Sequence, residues 1–559
     1  MKKSFFSFLA MAILCGTAVF TSCNNDEADA TLRTITLSPE GTMLGPGERF
    51  QLTVNFFPQI ATDREIVWTS SNDAVARVDE NGMVTAYDEG EVVITASSKH
   101  NLSISSTSTI TVTMDVFERK SGSVEGIWEA HSKIFIYDQI WVEEGKSLTI
   151  EEGVMVIVQN GQVGQSNAPI EFFVDGSLYL RGTSEHPILF TVPASVRKFE
   201  NRYEGLWGGF VGSQTFQEML FYYAIMEFTG ALCRAGSPSV LIGMNRADRD
   251  RTAGILTDNP DGRVVVMNSV IRYAESDAMY FMGARAIVAH NIIHTIGETD
   301  NDGVNLKAGV IADIAFNLTF AINSNGMKLA SSGQSPERQQ ALIRAYNNTI
   351  VNSGWRRTKN LKGGSISAAR GVSASIFNNL VLNSKLMAIT TSLENPTPDS
   401  GGGACWSSIV DYNFYASGSQ RMTNPNLMTV EGVTIMTAYE GYTLDYEDYY
   451  HVDLGIPGMP IFEQNSLIAT APGAPDPGFV NFGFNTVPLD EERFNPAWDF
   501  HVTSADSPVF GANGRAPRSN FSDPAFAPFF GTPGNGLMID GTEFTTPLPR
   551  AQYGAFGLR

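Results

Sequence analysis

The chain has 559 residues, 17% of them charged, and a formal net charge of −21, an acid excess that argues against nucleic acid as a partner because phosphate binding needs a basic surface. Four Cys are too few for a disulfide scaffold, and the length is ample for two cores. With 52 Gly, 26 Pro and no long amphipathic helical pattern, the composition points to an exported, mostly β protein.

Residues 1–22 read as a targeting segment. Lys2 and Lys3 form its charged start, and the apolar stretch at 5–20 is too short to span a membrane well. The segment ends F-T-S-C. A small residue before Cys23 resembles the lipobox of bacterial lipoproteins, which implies that Cys23 becomes an acylated N-terminus; cleavage after a small residue without lipidation is the alternative. The following N-N-D-E-A-D resembles the surface-export signal of Bacteroidetes lipoproteins. That implies a lipid anchor in the outer membrane with the protein facing the cell exterior; the alternative is that residues 23–31 are only a solvated tether.

Residues 32–114 form a separate unit. From 67 to 96 apolar and polar residues alternate in short runs broken by Gly, the pattern of a β-sandwich, with Trp68, Val75, Val78, Val84 and Ile94 inside. The unit resembles the group 2 bacterial immunoglobulin-like domain through Trp68-Thr-Ser-Ser-Asn, Asn81-Gly and Val84-Thr-Ala. The resemblance implies a spacer or an adhesion module. Residues 115–126 are polar and are expected to be a linker.

Beyond 127 the chain repeats itself. Five segments share a short apolar run, an Asn, and a second apolar run; the shared residues are Asn268, Asn291, Asn317, Asn347 and Asn378. A third short strand follows each turn, often after Gly. Three strands per repeat describe one coil of a parallel β-solenoid, whose inward side chains pack on the coils above and below. Where a coil bends, stacked Asn amides can donate to one neighbour and accept from the other, so a buried ladder over all five is expected. In the third strand, Tyr280, Asn305, Lys328 and Ser367 fall in one outward column, and Met282, Lys307, Ala330 and Ala369 in the next, because alternate residues share a face.

This pattern resembles the right-handed parallel β-helix family, the fold of pectate lyases and many bacterial surface proteins. K-S-L-T-I-E-E-G-V at 146–154 and F-V-D-G-S-L-Y-L-R-G-T at 173–183 look like its opening coils, and 499–514 like its closing coil. The expected fold is therefore all-β: an N-terminal immunoglobulin-like β-sandwich followed by a right-handed parallel β-helix over 127–559, with long loops toward the C-terminus. The fold hosts lyases, hydrolases and pure binders, so it carries no activity by itself.

Three stretches could carry chemistry. The loop at 230–252 holds Arg234, Arg246, Arg249 and Arg251, and the loop at 353–364 holds Trp355, Arg356, Arg357, Lys359 and Lys362. Arg and Lys bind carboxylates or sulfates, and a Trp can stack on a sugar, so the second loop is expected to border an anionic-glycan groove with Tyr280, Asn305, Lys307 and Lys328, its Trp355 at least partly exposed. A solvated loop is the alternative. The acidic turn at 298–303 offers Asp300 and Asp302 as Ca²⁺ ligands, against simple turn chemistry. His290 and His294 read as wall residues. The expected function is binding of a polysaccharide or host-surface glycan, as a part of polysaccharide acquisition. The alternative is a polysaccharide lyase on a uronic-acid glycan: lyases of this fold use a Lys or Arg base, and Lys307, Lys328 and Arg356 are candidates. A structural surface rod is the third class. Cys233 and Cys405 are expected to be unbridged, and the aromatic, acidic stretch 442–453 to lie outside the coils.

Overall fold

The structure, a computed structural model, describes residues 31–559 apart from 114–116, 165, 299, 358–363, 386–387, 391–392, 395–403, 406, 417, 419–427, 431–432, 436–464, 470–475, 513–515 and 519–523. Cys23, Lys359, Lys362 and the stretch 442–453 lie outside the described residues.

The N-terminal unit is a sandwich. A four-stranded sheet (Gly41–Leu44, Ser105–Val112, Gly90–Ser98, Ile66–Ser70) faces a three-stranded one (Arg49–Gln51, Met83–Ala86, Ala76–Val78), with a further pair formed by Thr34–Ser38 and Thr53–Phe57. Val75, Val84 and Ile94 are buried, and Trp68 and Val78 pack against them partly buried. The Asn81-Gly turn has a second role: Gly82 has φ +82, and a Cβ there would come within 2.5 Å of the Trp68 ring. Only Gly lets the indole lie over that turn.

The rest of the described chain is dominated by a parallel β-helix with three faces. The first face is a ten-stranded parallel sheet running from Gly126–Trp128 to Ile409–Val410. The other two are hydrogen-bonded through one strand, Lys133–Val142, which bends across both. One of them carries Val270–Ala274, Ile292–Ile296, Leu318–Ile322 and Thr349–Val351 in register. The other carries Ile255–Thr257, Met279–Phe281, Val304–Leu306, Met327–Ala330 and Ile366–Ala369. Side chains alternate in and out, so each coil sends residues such as Met279, Phe281, Val304 and Leu306 into one continuous core. Burying a side chain of this size stabilises by roughly 1.5–3 kcal/mol. The early coils fill the core with rings, Phe172, Phe190, Phe210 and Phe221, whose centroids lie 4.9–6.0 Å apart.

The ladder stands at the bend between the first and second faces, in a register that differs from the expected one. It runs Asn291, Asn317, Asn348, Asn379, Asn413. Each of the first four donates its backbone N–H and its Nδ2 to the next residue's Oδ1, at 2.9–3.1 Å. Ser269 and Ser466 close the ends. Asn268, Asn347 and Asn378 are therefore not rungs. Each stands one residue earlier, at φ 52–55, in the left-handed region that Asn tolerates best after Gly. That conformation turns the side chain outward. Asn347 and Asn378 bind the C-terminal segment instead, with Asn347 accepting from the Arg550 backbone N–H at 3.0 Å and Asn378 from that of Arg518 at 2.9 Å.

Two domain expectations are corrected. Glu118–Ser123, placed in the 115–126 linker, is a strand parallel to Lys133–Val142 and opens the helix. The coils run to Leu467–Ala469, and 499–514 is no closing coil: Asp499–Val502 pairs antiparallel with Phe479–Asn481. The C-terminal segment instead straps the outside of two faces. Phe482, Phe500 and Val502 cover Phe320, Leu382 and Phe414, while Phe530, Leu537 and Ile539 run back over Leu220, Val265 and Ile287. Buried Asp313 anchors this strap, accepting from the backbone N–H groups of Phe529 and Phe530 and from Thr546 Oγ1.

The sandwich docks on the side of the first coils. Thr42 Oγ1 donates to Gln159 Oε1 at 2.5 Å, Gln159 Nε2 donates to the Gly41 carbonyl at 2.7 Å, and Met43 packs on Phe135 and Ile157.

Candidate functional site

The strap packs on two faces, and the third carries an outward column of its own. Its strands place Leu256, Tyr280, Asn305, Lys328 and Ser367 beside one another on successive coils. Three residues before Tyr280, Asn305 and Lys328 stand Asp277, Asp302 and Asn325, at the turn entering each strand. These form a second, shorter ladder. Asp277 Oδ1 accepts from the Asp302 backbone N–H at 2.6 Å, and Asp302 Oδ1 accepts from the Asn325 N–H at 3.0 Å and its Nδ2 at 2.8 Å. The free oxygen of each carboxylate turns to one amide: Asn305 Nδ2 donates to Asp277 Oδ2 at 2.8 Å and to Asp302 Oδ2 at 3.2 Å. Lys328 Nζ lies 3.6 Å from Asp302 Oδ2, and Lys307 Nζ sits 5.1 Å above the Tyr280 ring.

The electrostatics follow from this crowding. Burial, then the charge of Asp302, pushes the Asp277 carboxyl well above the usual carboxylate range, to about 7. Burial, then Lys328, pushes the Lys307 ammonium down to about 8. Tyr280 is raised to about 12, first by burial and then by Asp277. Asn305 is 4% exposed, and its Oδ1 has no hydrogen-bond partner among the described residues. A buried acceptor left unpaired costs about 1–3 kcal/mol, so the atom is one that a ligand hydroxyl would satisfy.

A cleft of about 860 Å³ opens beside this cluster, between Asp277, Tyr280, Met282 and Asp300 on the helix and Met244, Arg246, Arg249 and Arg251 on the 230–252 loop. The loop is held rigidly by buried Glu171. Its two oxygens accept from the Ser239 N–H at 2.7 Å, Ser239 Oγ at 2.6 Å and Thr252 Oγ1 at 2.8 Å. Cys233 is packed in the same knot, its thiol pushed up to about 11 by burial, and neither Cys233 nor Cys405 is in a disulfide. Arg246 pairs with Asp250 at 2.8 Å and Arg234 with Asp248 at 2.6 Å.

The described side chains of the second basic loop, Trp355, Arg356 and Arg357, do not line the cleft. Trp355 is 4% exposed and donates Nε1 to the Asn383 carbonyl at 2.6 Å. Arg356 lies half-buried over Tyr203, donating to the carbonyls of Ile296, Gly297 and Ala321, with Glu492 of the strap 3.6 Å away. Arg357 is 1% exposed and pairs with Asp300. These side chains lock coil ends to one another; their composition resembled a binding loop because buried Arg and Trp are as useful for tying off carbonyls as for gripping sugars.

The acidic turn does not form an oxygen cage either. Asp300 is committed to Arg357, and Asp302 to two amides and an ammonium. Among the described residues no three His, Cys, Asp or Glu converge as metal ligands. His294 is a wall residue, stacked on Phe494 with centroids 4.7 Å apart and pushed down to about 3 by burial. His290 lies on Phe316 at 5.2 Å. Asp277 escaped the sequence reading. The signal was there in the repeat, since Asp277, Asp302 and Asn325 share one offset from the outward column.

Residues 32–117 match the family model of the bacterial Ig-like domain (group 2). Three curated proteins share short stretches with the chain. An uncharacterized protein of Clostridium acetobutylicum is 32% identical over 114 residues, 20% of this chain and 12% of its own length. The 3-O-alpha-D-galactosyl-alpha-L-arabinofuranosidase of Bifidobacterium longum subsp. longum is 36% identical over 94 residues, 16% of this chain and 8% of its own. A second Clostridium acetobutylicum protein is 35% identical over 66 residues, 12% and 17% respectively. The chain thus spans less than a fifth of each of these relatives, and the family match identifies its N-terminal unit as a group 2 bacterial Ig-like domain.

Proposed function

We propose that this protein is a bacterial surface lipoprotein that binds a glycan along the third face, from the cleft between the 230–252 loop and Tyr280 onward over the neighbouring coils of Asn305 and Lys328. The observation that carries the reading is the column: an aromatic face, an amide and an ammonium on successive coils, about 4.8 Å apart. A sugar chain lying along the rod would meet one such group after another. Lys307, Lys328 and the exposed Arg249 bring cations to this side of an acidic chain, which favours a glycan carrying carboxylate or sulfate. The bacterial Ig-like domain and the glycosidase name of one partial relative support a carbohydrate-related role outside the cell.

A glycan array with the purified protein tests this, followed by titration at rising salt. Binding should weaken with salt, as exposed charges are screened beyond about 10 Å at 0.1 M. Lys328→Ala should flatten that dependence. Tyr280→Ala should weaken binding up to about tenfold without changing it, since ring contacts are worth about 0.5–1.5 kcal/mol. An array on which no glycan is retained would sink the reading. Release of unsaturated uronate from a bound polysaccharide would move it to a lyase, with Lys307 as the candidate base.

A further inference from the structure

We infer that the cleft receives the end of a glycan chain and not its interior, because the 230–252 loop walls off the third face just before Tyr280. This deepens the glycan reading above and rests on it. The outward column does not begin at Tyr280. In register it runs Trp141, Phe173, Val211, Leu256, Tyr280, Asn305, Lys328 and Ser367, one residue per coil. Its first four residues are apolar, and outward apolar residues on a rod call for a cover. Phe173, Val211 and Leu256 have one. They are 3%, 0% and 2% exposed although they point away from the core, and they cluster with Met244 of the loop and Ala253 at its foot. Tyr280, Lys328 and Ser367, further along the same column, come part-way to the surface.

The cover is braced. The Ser239 N–H, the Ser239 hydroxyl and the Thr252 hydroxyl all end on Glu171, two residues before Phe173 on the same strand. Across the loop, the Asp248 N–H donates to the Cys233 carbonyl at 2.8 Å and the Cys233 N–H to the Asp250 carbonyl at 2.9 Å. The ion pairs of Arg234 with Asp248 and of Arg246 with Asp250 add to this. A loop tied at its base and across its width stays in place. The three sealed coils beneath it occupy about 14 Å of the rod at the strand spacing, and no sugar chain threads under it.

The open side suits a terminal sugar. Leu256, Tyr280 and Met282 make an apolar floor, Met244 stands against the wall, and Asn245 and Arg249 border the same cleft. Arg249 is exposed and forms no ion pair among the described residues, whereas Arg234, Arg246 and Arg251 each face a carboxylate. A sugar in this corner has the wall where its next neighbour would be. The chain can leave only the other way, over Asn305 and Lys328.

The test uses the full protein with polygalacturonate, chondroitin sulfate, alginate and dextran, together with any further polysaccharide that the array retains. Each is cut to several mean lengths and offered at equal mass, and the protein held at saturation is measured by sedimentation. A site for ends counts chains: each halving of the mean length should double the protein held per gram, with one protein on each chain. A site for interiors counts sugars: the protein held per gram would not change with length, and long chains would carry several copies. Arg249→Ala, at an exposed position, should weaken binding of the shortest and longest fractions by one common factor, about two- to fivefold. Capacity independent of length, several copies on one chain, or wild-type affinity in Arg249→Ala each overturn the inference, while Tyr280→Ala and Lys328→Ala still report on the glycan reading. Failure to hold any of these polysaccharides at any length removes the glycan reading itself, and the inference with it.

Discussion

At the scale of single residues, adjacent positions in a turn have opposite fates. Asn347 and Asn348 are neighbours, yet one takes a left-handed φ and faces the strap while the other turns inward as a rung. Asn317 sits mid-ladder, 2% exposed, accepting from Asn291 and donating to Asn348. Asn317→Ala leaves the Asn291 backbone N–H without its acceptor and is expected to cost about 1–3 kcal/mol. Asn317→Asp adds a buried charge and should lower the thermal midpoint further; equal midpoints for wild type and both variants would contradict a buried ladder. Asp277 gives a pH signature. Its folded-state carboxyl titrates near 7 against an ordinary 3.8, so the folded chain holds a proton that the unfolded chain has released. Its contribution is full below the ordinary value and is lost as pH rises toward 7. Asp277→Asn has no such loss, so its stability relative to wild type should climb between about pH 4 and 7. Denaturant titrations of both proteins across that window check it, and a flat difference would place Asp277 in an ordinary environment.

At the scale of elements, the helix is finished by segments that are not coils. The strap buries Leu318, Phe320, Leu382 and Phe414 on one face and Tyr179, Leu220 and Val265 on another. Outward apolar residues on a β-helix would otherwise be an exposed sticky surface. Asp313 holds three donors of the strap at 2.8–3.1 Å. Asp313→Ala orphans them, and we expect a loss of about 3–5 kcal/mol with early proteolysis between residues 524 and 550, measured by limited digestion. Strap cleavage no faster than in wild type would show that the apolar contacts hold it unaided. Trp355 likewise belongs to structure: Trp355→Ala should cost about 3–5 kcal/mol as a core truncation and leave the salt dependence of glycan binding untouched.

At the scale of the whole molecule, the sandwich and the helix share an interface of short polar contacts around Gln159, over the apolar contact of Met43. The sandwich is thus set against the side of the first coils. In the proposed lipoprotein, anchoring falls to Cys23. Acyl chains there would hold the chain firmly, since stable attachment takes more than one lipid signal. Cys23→Ala should move the protein from the membrane fraction to the soluble one; a variant still sedimenting with membranes and cut at the same bond would remove the lipoprotein proposal.

The sequence by itself determined the architecture. Alternating apolar runs can bury one side only as strands, and their recurrence with Asn at the bends can be satisfied only by stacking coils, so the β-helix, its outward column and the Ig-like unit were legible. It also contained the offset that places Asp277 and Asp302 one above the other. What only the tertiary structure decided was which polar residues meet solvent. Trp355, Arg356 and Arg357 belong to one short loop whose composition suits a groove, but their partners, Asn383, Glu492 and Asp300, come from distant coils and from the strap. Period and composition are local properties. Burial is set by what folds back over a segment, and here the last eighty or so residues return across coils formed far earlier in the chain, leaving the third face as the candidate site.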